Sequence, residues 1–147
     1  MNIEEVSETD IEEIKGLARR VILESVDASD ETKVDIIADT LLHIDKNSPG
    51  LECVFLKCID PDIQGFILVQ NYWNLSDLFV LPESRGKGVG KLLFTVAKSV
   101  CLAKQERGYI RVNSSLNAEG FYRNLGFESF APLNEVPNFV APLIYNF

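Results

Sequence analysis

Three cysteines, one histidine and one methionine in 147 residues leave little material for metal or thiol chemistry. Cys53, Cys58 and Cys101 are odd in number and lie in apolar runs. Cys53 and Cys58 are five apart, so on one strand they face opposite sides. Neither a disulfide nor a metal site is indicated, and buried free thiols are expected. His43 falls at the end of a helical pattern and reads as a helix-terminus residue rather than a catalyst or ligand. No apolar run is long enough to cross a membrane. The first ten residues, MNIEEVSETD, are acidic and lack a basic-then-apolar leader pattern, so the cytoplasm is the expected location. Repeats and low-complexity segments are also missing.

Positive charge is scarce, and unevenly so. The formal net charge is -8. Residues 1–50 carry 13 of the 22 acidic side chains but only five of the 14 basic ones, Lys15, Arg19, Arg20, Lys33 and Lys46. The rest of the chain is balanced. This argues against nucleic acid as a partner. It is compatible with a cationic substrate, attracted at Glu24, Asp27 and Asp30, although a solvated helical surface accounts for most of these acids. No pattern sets an oligomeric state.

What is present is one domain's worth of alternating patterns over residues 1–147. Ile3 to Val6 reads as a short strand. Ser7 and Asp10 offer caps to a helix whose stripe is Ile11, Ile14, Leu17, Ala18, Val21 and Ile22. Ser29 or Asp30 caps a second helix carrying Val34, Ile37, Ala38, Leu41 and Leu42. A loop is expected at Asn47 to Gly50. Strands follow at Glu52 to Ile59, at Gln64 to Gln70 (buried on both faces), and from Leu75, with connections short enough to require antiparallel pairing. Tyr72 and Trp73 sit in the last of these turns, as packing at the sheet edge or as a partner surface. A helix over about Gly88 to Glu106 leads to a strand at Tyr109 to Val112. That crossover makes the new strand parallel to the one from Leu75. A short helix ends at Gly126, and two strands flank a loop at Leu133 to Asn138, with Pro142 fitting poorly in the last strand.

The stretch Leu78 to Leu93 carries the chemistry. A strand is stopped by Pro82, and Arg85-Gly86-Lys87-Gly88-Val89-Gly90-Lys91 then opens a helix. Helix starts offer unpaired N–H groups and the positive end of the dipole. Glycines let that backbone come close to a ligand. Arg85, Lys87 and Lys91 add charge, so the loop is an anion site suited to phosphate. It is neither of two common nucleotide motifs. A P-loop needs glycine where Arg85 stands and Ser or Thr where Leu92 stands. The dinucleotide fingerprint places its third glycine on Lys91 or Leu93, depending on frame.

Arg85-x-x-Gly88-x-Gly90 after a Leu-Phe-Val-x-Pro strand resembles the acetyl-CoA diphosphate loop of the GNAT superfamily of N-acyltransferases. Further along, Ser115-Leu116-Asn117-Ala118, Phe121-Tyr122 and Leu125-Gly126-Phe127 resemble that family's second signature. The resemblance is specific over residues 75–127 and topological elsewhere. It implies a mixed α/β fold, with a mainly antiparallel central sheet splayed between two parallel central strands and about four flanking helices.

The same resemblance implies a site. Acetyl-CoA would lie in the splay as co-substrate, with no metal. Its pantetheine would pair with backbone of Leu78, Phe79 and Val80, and its diphosphate would rest on N–H groups from Gly86 to Lys91. A primary amine, on a small molecule or a peptide, would attack the thioester directly. The Val80 N–H is the candidate oxyanion donor. Tyr122 is the candidate acid for the leaving thiolate, or else packs against CoA. Asp77 is the candidate base, or an ordinary surface carboxylate, with Glu83 or water as alternatives. Asn117 contacts pantetheine or caps the helix. Ser115 stands where many relatives have Asn. A non-catalytic acyl-CoA-binding domain is the rival reading.

Overall fold

The computed structural model describes residues 1–47, 52–131, 136 and 140–147. Of the loops expected at 47–50 and 133–138, only Asn47 and Val136 lie among the described residues. The elements are β1 (Asn2–Glu5), α1 (Ile11–Ser25), α2 (Asp30–Lys46), β2 (Cys53–Ile59), β3 (Ile63–Gln70), β4 (Asn74–Val80), α3 (Val89–Lys104), β5 (Tyr109–Ser115), α4 (Glu119–Asn124), β6 (Glu128–Ser129) and β7 (Val140–Asn146). The strands form one sheet in the order β1-β2-β3-β4-β5-β7-β6. β4 and β5 are parallel, and the other neighbours are antiparallel. The expected mixed α/β architecture is the one observed.

Two packed layers cover the sheet. On one face Leu93, Phe94, Ala97 and Cys101 of α3 pack with Val54, Leu56, Ile67 and Val69. On the other, Ile14, Leu17, Ala18 and Val21 of α1 and Ile44 of α2 pack with Phe55, Phe66 and Leu68. Alternation along β2 decides the split, and it sends Cys58 to the first layer and Cys53 to the second. A Ser7–Asp10 capping box closes the 3-10 turn that leads into α1, and Ser29 caps α2. Asp10 Oδ2 accepts from the Ser7 N–H at 2.8 Å, and Ser29 Oγ accepts from the Thr32 N–H at 3.2 Å. The β3–β4 turn puts Asn71 and Tyr72 at φ 55 and 64, the tight-hairpin conformation. Trp73 is half-buried beneath the Arg107 guanidinium, 4.7 Å from the ring centre, so these aromatics pack at the edge. Pro142 lies within β7, opposite Asn113 and just past the last β6 pair, Ser129 with Leu143.

Two irregularities in β4 create the site. The first is a bulge. Leu68 pairs with Asp77 but Val69 pairs with Leu75, so Ser76 is the extra residue. The bulge breaks the two-residue alternation. Leu75 and Leu78 both face the α3 layer, while Phe79 packs in the α1–α2 layer. Asp77, two before Phe79, turns to that second side as well. The second irregularity is short pairing with β5, limited to Asn74 with Arg111 and Leu75 with Val112. Beyond Leu75 the two parallel strands diverge.

Candidate active site

The gap between β4 and β5 opens into a cavity of about 620 Å³. One wall is β4 and the following loop: Leu78, Phe79, Val80, Arg85, Gly86, Gly88, Val89, Gly90 and Lys91. The opposite wall is Ser115, Asn117, Ala118, Phe121 and Tyr122, and α1 contributes Val21 and Ser25. Of the residues the sequence suggests for the cofactor, only Lys87 stays off this lining. It is exposed, between the two glycines that turn the loop.

Hydrogen-bond direction in β4 sorts its residues. The Leu81 N–H donates to the Gln64 carbonyl at 2.9 Å. In an antiparallel ladder the pattern alternates, so Phe79 also bonds toward β3, while the N–H and C=O of Leu78 and Val80 point into the gap. Leu78 and Val80 are thus free to pair with an extended ligand strand. Phe79, expected to do the same, contributes its side of the wall but not its backbone.

The loop after β4 has the anion-binding form. Gly86 and Gly88 have φ 76 and 83, a left-handed conformation that disfavours any Cβ. Gly88 is the N-cap of α3, and its carbonyl receives the first helical bond, from Leu92 at 2.9 Å. The N–H groups of Val89, Gly90 and Lys91 consequently have no partner within the helix. Gly90 serves a different purpose. A Cβ there would stand 3.0 Å from Cζ of Phe121, so this glycine lets α3 and α4 approach each other.

Tyr122 is held by a helix end that the sequence spells out. The Gly126 N–H donates to the Arg123 carbonyl at 3.0 Å and the Phe127 N–H to the Tyr122 carbonyl at 3.1 Å. With Gly126 at φ 108 this is a Schellman motif, and its usual hydrophobic contact is Phe127 against Tyr122, ring centres 5.4 Å apart. Tyr122 is 6% exposed. Burial first, and the charge of Asp77 second, push its phenol well above the usual 10.0.

Three expectations are corrected. Asp77 is not a surface carboxylate. It is 3% exposed, its Oδ2 accepts from Ser76 Oγ at 2.8 Å, and it is not among the residues lining the cavity. Glu83 holds Arg20 of α1 through two bonds, at 2.9 and 2.8 Å, and does not line the cavity. Asn117 does not cap α4, and it lines the cavity. Its Nδ2 donates to the Ser25 carbonyl at 2.9 Å. Arg85 Nη2 donates to Ser25 Oγ at 2.8 Å, so the end of α1 ties together both walls of the cavity. No spacing in the sequence pointed to Ser25.

His43 is the other residue that sequence patterning passed over. It is in the last turn of α2, as expected, but its Nδ1 lies 3.5 Å from Asp77 Oδ2. Asp77 holds the imidazole above its usual 6.5, against the opposing effect of burial.

The geometry joins an anion loop, a splayed parallel strand pair and a buried phenol, and comparisons with known proteins agree with it. The sequence profile described as the acetyltransferase (GNAT) domain matches residues 44–139. The chain belongs to the GNAT acetyltransferase family. A GCN5-related N-acetyltransferase from Rhodopseudomonas palustris superposes with a TM-score of 0.80 at 17% identity, covering 99% of this chain and 95% of that one. PaiA N-acetyltransferase from Thermoplasma acidophilum, solved in complex with coenzyme A, superposes with a TM-score of 0.77 at 21% identity, over 99% and 98% of the two chains. A GNAT-family acetyltransferase from Staphylococcus aureus Mu50 gives 0.74 at 20% identity, over 99% and 98%. No curated protein sequence matches the chain significantly. No helix among the described residues of this GNAT domain is long and apolar enough to cross a membrane.

Proposed function

We propose that this GNAT acetyltransferase moves the acetyl group of acetyl-CoA to a primary amine by direct attack on the thioester. The observation that carries this reading is the conjunction, in one cavity, of the Gly86–Lys91 loop, the open β4 edge and Tyr122. The loop N–H groups take the diphosphate, and Leu78 and Val80 pair with the pantetheine arm. The arm then delivers the thioester beside the Val80 N–H, which stabilises the oxyanion as it forms. A coenzyme A complex of the Thermoplasma relative supports the choice of cofactor.

Tyr122 is the group that meets the leaving sulfur. A free thiol has a pKa near ~8.5, so a phenol with a raised pKa gives up its proton reluctantly to a solvated thiolate. The same burial raises the basicity of the sulfur and narrows the mismatch. Tyr122 therefore hydrogen-bonds the sulfur as charge develops and releases its proton late. Asp77 is the acceptor-side base, reached from the gap through a water because it does not line the cavity. A thiol-release screen with acetyl-CoA and a panel of amines tests the reading. Turnover with at least one amine is expected. Tight CoA binding with no turnover across a diamine, an amino acid, a blocked lysine and a tripeptide would favour an acyl-CoA-binding module instead.

A further inference from the structure

Buried charge on the α2 face of β4 has an arrangement that static packing does not account for. Asp77 is the first β4 side chain past the last β4–β5 pair whose face is turned to α2, so it stands where the gap begins. It is 3% exposed. A carboxylate so deeply buried normally has a hydrogen-bonded cation. Its nearest base is His43, with Nδ1 at 3.5 Å, beyond a normal hydrogen bond. That Nδ1 is itself buried and has no hydrogen-bond partner among the described residues. The remainder of the ring reaches solvent, since the side chain is 38% exposed. Asp77 also acts on Tyr122 across the gap. Asp77, buried at the start of the gap just outside the cavity lining, is thus joined through His43 to bulk water.

We propose that Asp77 and His43 form a relay that carries the acceptor's proton from the gap to solvent. The proposal rests on the N-acetyltransferase reading above, and His43 is its new element. The acceptor arrives as an ammonium ion. Asp77 does not line the cavity, so a water in the gap carries the proton: one N–H bond breaks and an O–H bond forms on Asp77. That proton passes to the lone pair of His43 Nδ1, and the proton on Nε2 leaves to water; the ring then swings outward and re-forms its Nε2–H tautomer through water before the next turnover. The freed amine attacks the thioester carbon, and the C–S bond breaks. The sulfur takes the Tyr122 proton, and Tyr122 recovers one from the nitrogen that has become the amide. The amine loses two protons, one to solvent and one to the CoA thiol, and the sum balances. The relay needs His43 neutral, so turnover rises with pH through the titration of His43. The charged groups around the ring are Asp77 on β4 and Asp39 and Lys46 on α2, with Tyr122 beyond Asp77. Asp77 is the first of these and favours the imidazolium. The rise therefore falls on the alkaline side of an ordinary histidine.

His43 is the only histidine, so its ring gives one set of imidazole resonances in an NMR titration of the whole protein. Asp77→Asn should lower its pKa, since the neighbouring carboxylate is what favours the imidazolium. With the fastest amine from putrescine, alanine, Nα-acetyl-lysine amide and an Ala-led tripeptide, the acid limb of kcat/KM should fall at the NMR value. His43→Gln keeps a helix-forming residue. It should erase that limb and lower the plateau by about tenfold to ~100-fold, the range of a lost proton-transfer group, with acetyl-CoA affinity unchanged. An imidazole pKa indifferent to Asp77→Asn, or an unaltered limb in His43→Gln, overturns the relay while leaving N-acetylation intact. A wild-type protein that acetylates none of the four amines overturns the underlying reading and the relay together.

Discussion

Gly88 and Gly90 stand two residues apart in one motif, yet the structure gives them separate jobs, and substitution should separate them. Gly88 has φ 83 with open space around the Cβ direction. Its constraint is purely conformational. An L-residue there costs roughly 1–2 kcal/mol, least for Asn. With Gly88→Val the loop relaxes out of the left-handed form, and N–H groups aimed at the diphosphate turn away. Losing one hydrogen bond to a charged group costs about 1.5–3 kcal/mol, or tenfold or more in affinity. Gly90 has ordinary helical geometry, and its Cβ direction meets Phe121 at 3.0 and 3.2 Å. A contact at the usual ~3.5–4.0 Å requires that ring to move by about half an ångström. Phe121 is 37% exposed and gives way cheaply, while alanine in a helix gains up to about 1 kcal/mol over glycine. The ring sits 5.3 Å from that of Tyr122, so its movement displaces the candidate acid. Misplacement of about 1 Å can cost ~100-fold in rate, so about tenfold is expected here. Calorimetry with CoA and single-turnover kinetics should show Gly88→Val binding weakly, Gly88→Asn binding nearly as wild type, and Gly90→Ala binding normally but turning over slowly. Equal loss of CoA affinity in Gly88→Val and Gly90→Ala would refute the division of labour.

The other expectations follow from the acid, its anchor and the surface charge. Tyr122→Phe should lower kcat by about 100-fold, the typical value of general acid catalysis, with CoA affinity unchanged by calorimetry. Because the folded protein holds the Tyr122 proton more tightly than the unfolded chain, its contribution to stability is present below pH 10.0 and is lost above it. Melting curves of wild type and Tyr122→Phe should therefore converge or cross only above that pH. Gly126→Ala meets both a left-handed φ and the Tyr145 ring at 3.1 Å, so denaturant unfolding should show a loss of about 1–3 kcal/mol together with reduced turnover. A preference for dicationic acceptors, drawn by Asp27 and Asp30, should fade in 0.5 M salt as screening sets in. Glu24 is spent on Arg20 at 3.2 Å and contributes less.

Local patterns read well where each rested on a rule with one outcome; the α2 stripe did not, since Val34 and Leu42 are exposed and the buried residues of that helix are Thr40 and Ile44. Of the α1 stripe, Ile14, Leu17, Ala18, Val21 and Ile22 are buried, and Ile11 at its start is half-buried. Leu125-Gly126-Phe127 was legible as a helix end because only glycine accepts that φ cheaply. The crossover from β4 through α3 made β5 parallel, and so located the gap. What escaped depended on a register shift or on contacts between distant segments. A single extra residue, Ser76, turns Asp77 away from the face that Leu75 occupies, and no local pattern announces a bulge. The alternative base, Glu83, lay on an exposed turn as expected, but its partner Arg20 is 63 residues away. Ser25 gained its role from two partners, 60 and 92 positions along the chain.

These distant contacts share one endpoint, and that endpoint constrains how the site opens. Arg20 and Ser25 are both in the last two turns of α1, and Arg20 grips Glu83 while Ser25 receives Arg85 and Asn117. Glu83 and Arg85 flank the start of the anion loop on the β4 side; Asn117 follows β5. Since β4 and β5 share no pairing beyond Leu75, the sheet itself leaves the two walls free to spread. The end of α1 is what spans them on the surface. The bonds involved are exposed, and such contacts individually contribute about 0–1 kcal/mol. Each is weak enough to exchange for a ligand contact, and three together hold the spacing when the cavity is empty. Arg85 has the most to exchange, because a diphosphate on the adjacent N–H groups is a stronger partner for a guanidinium than a serine hydroxyl. On the proposed reading of the loop, the same arginine that fixes the wall would release Ser25 when the phosphate binds.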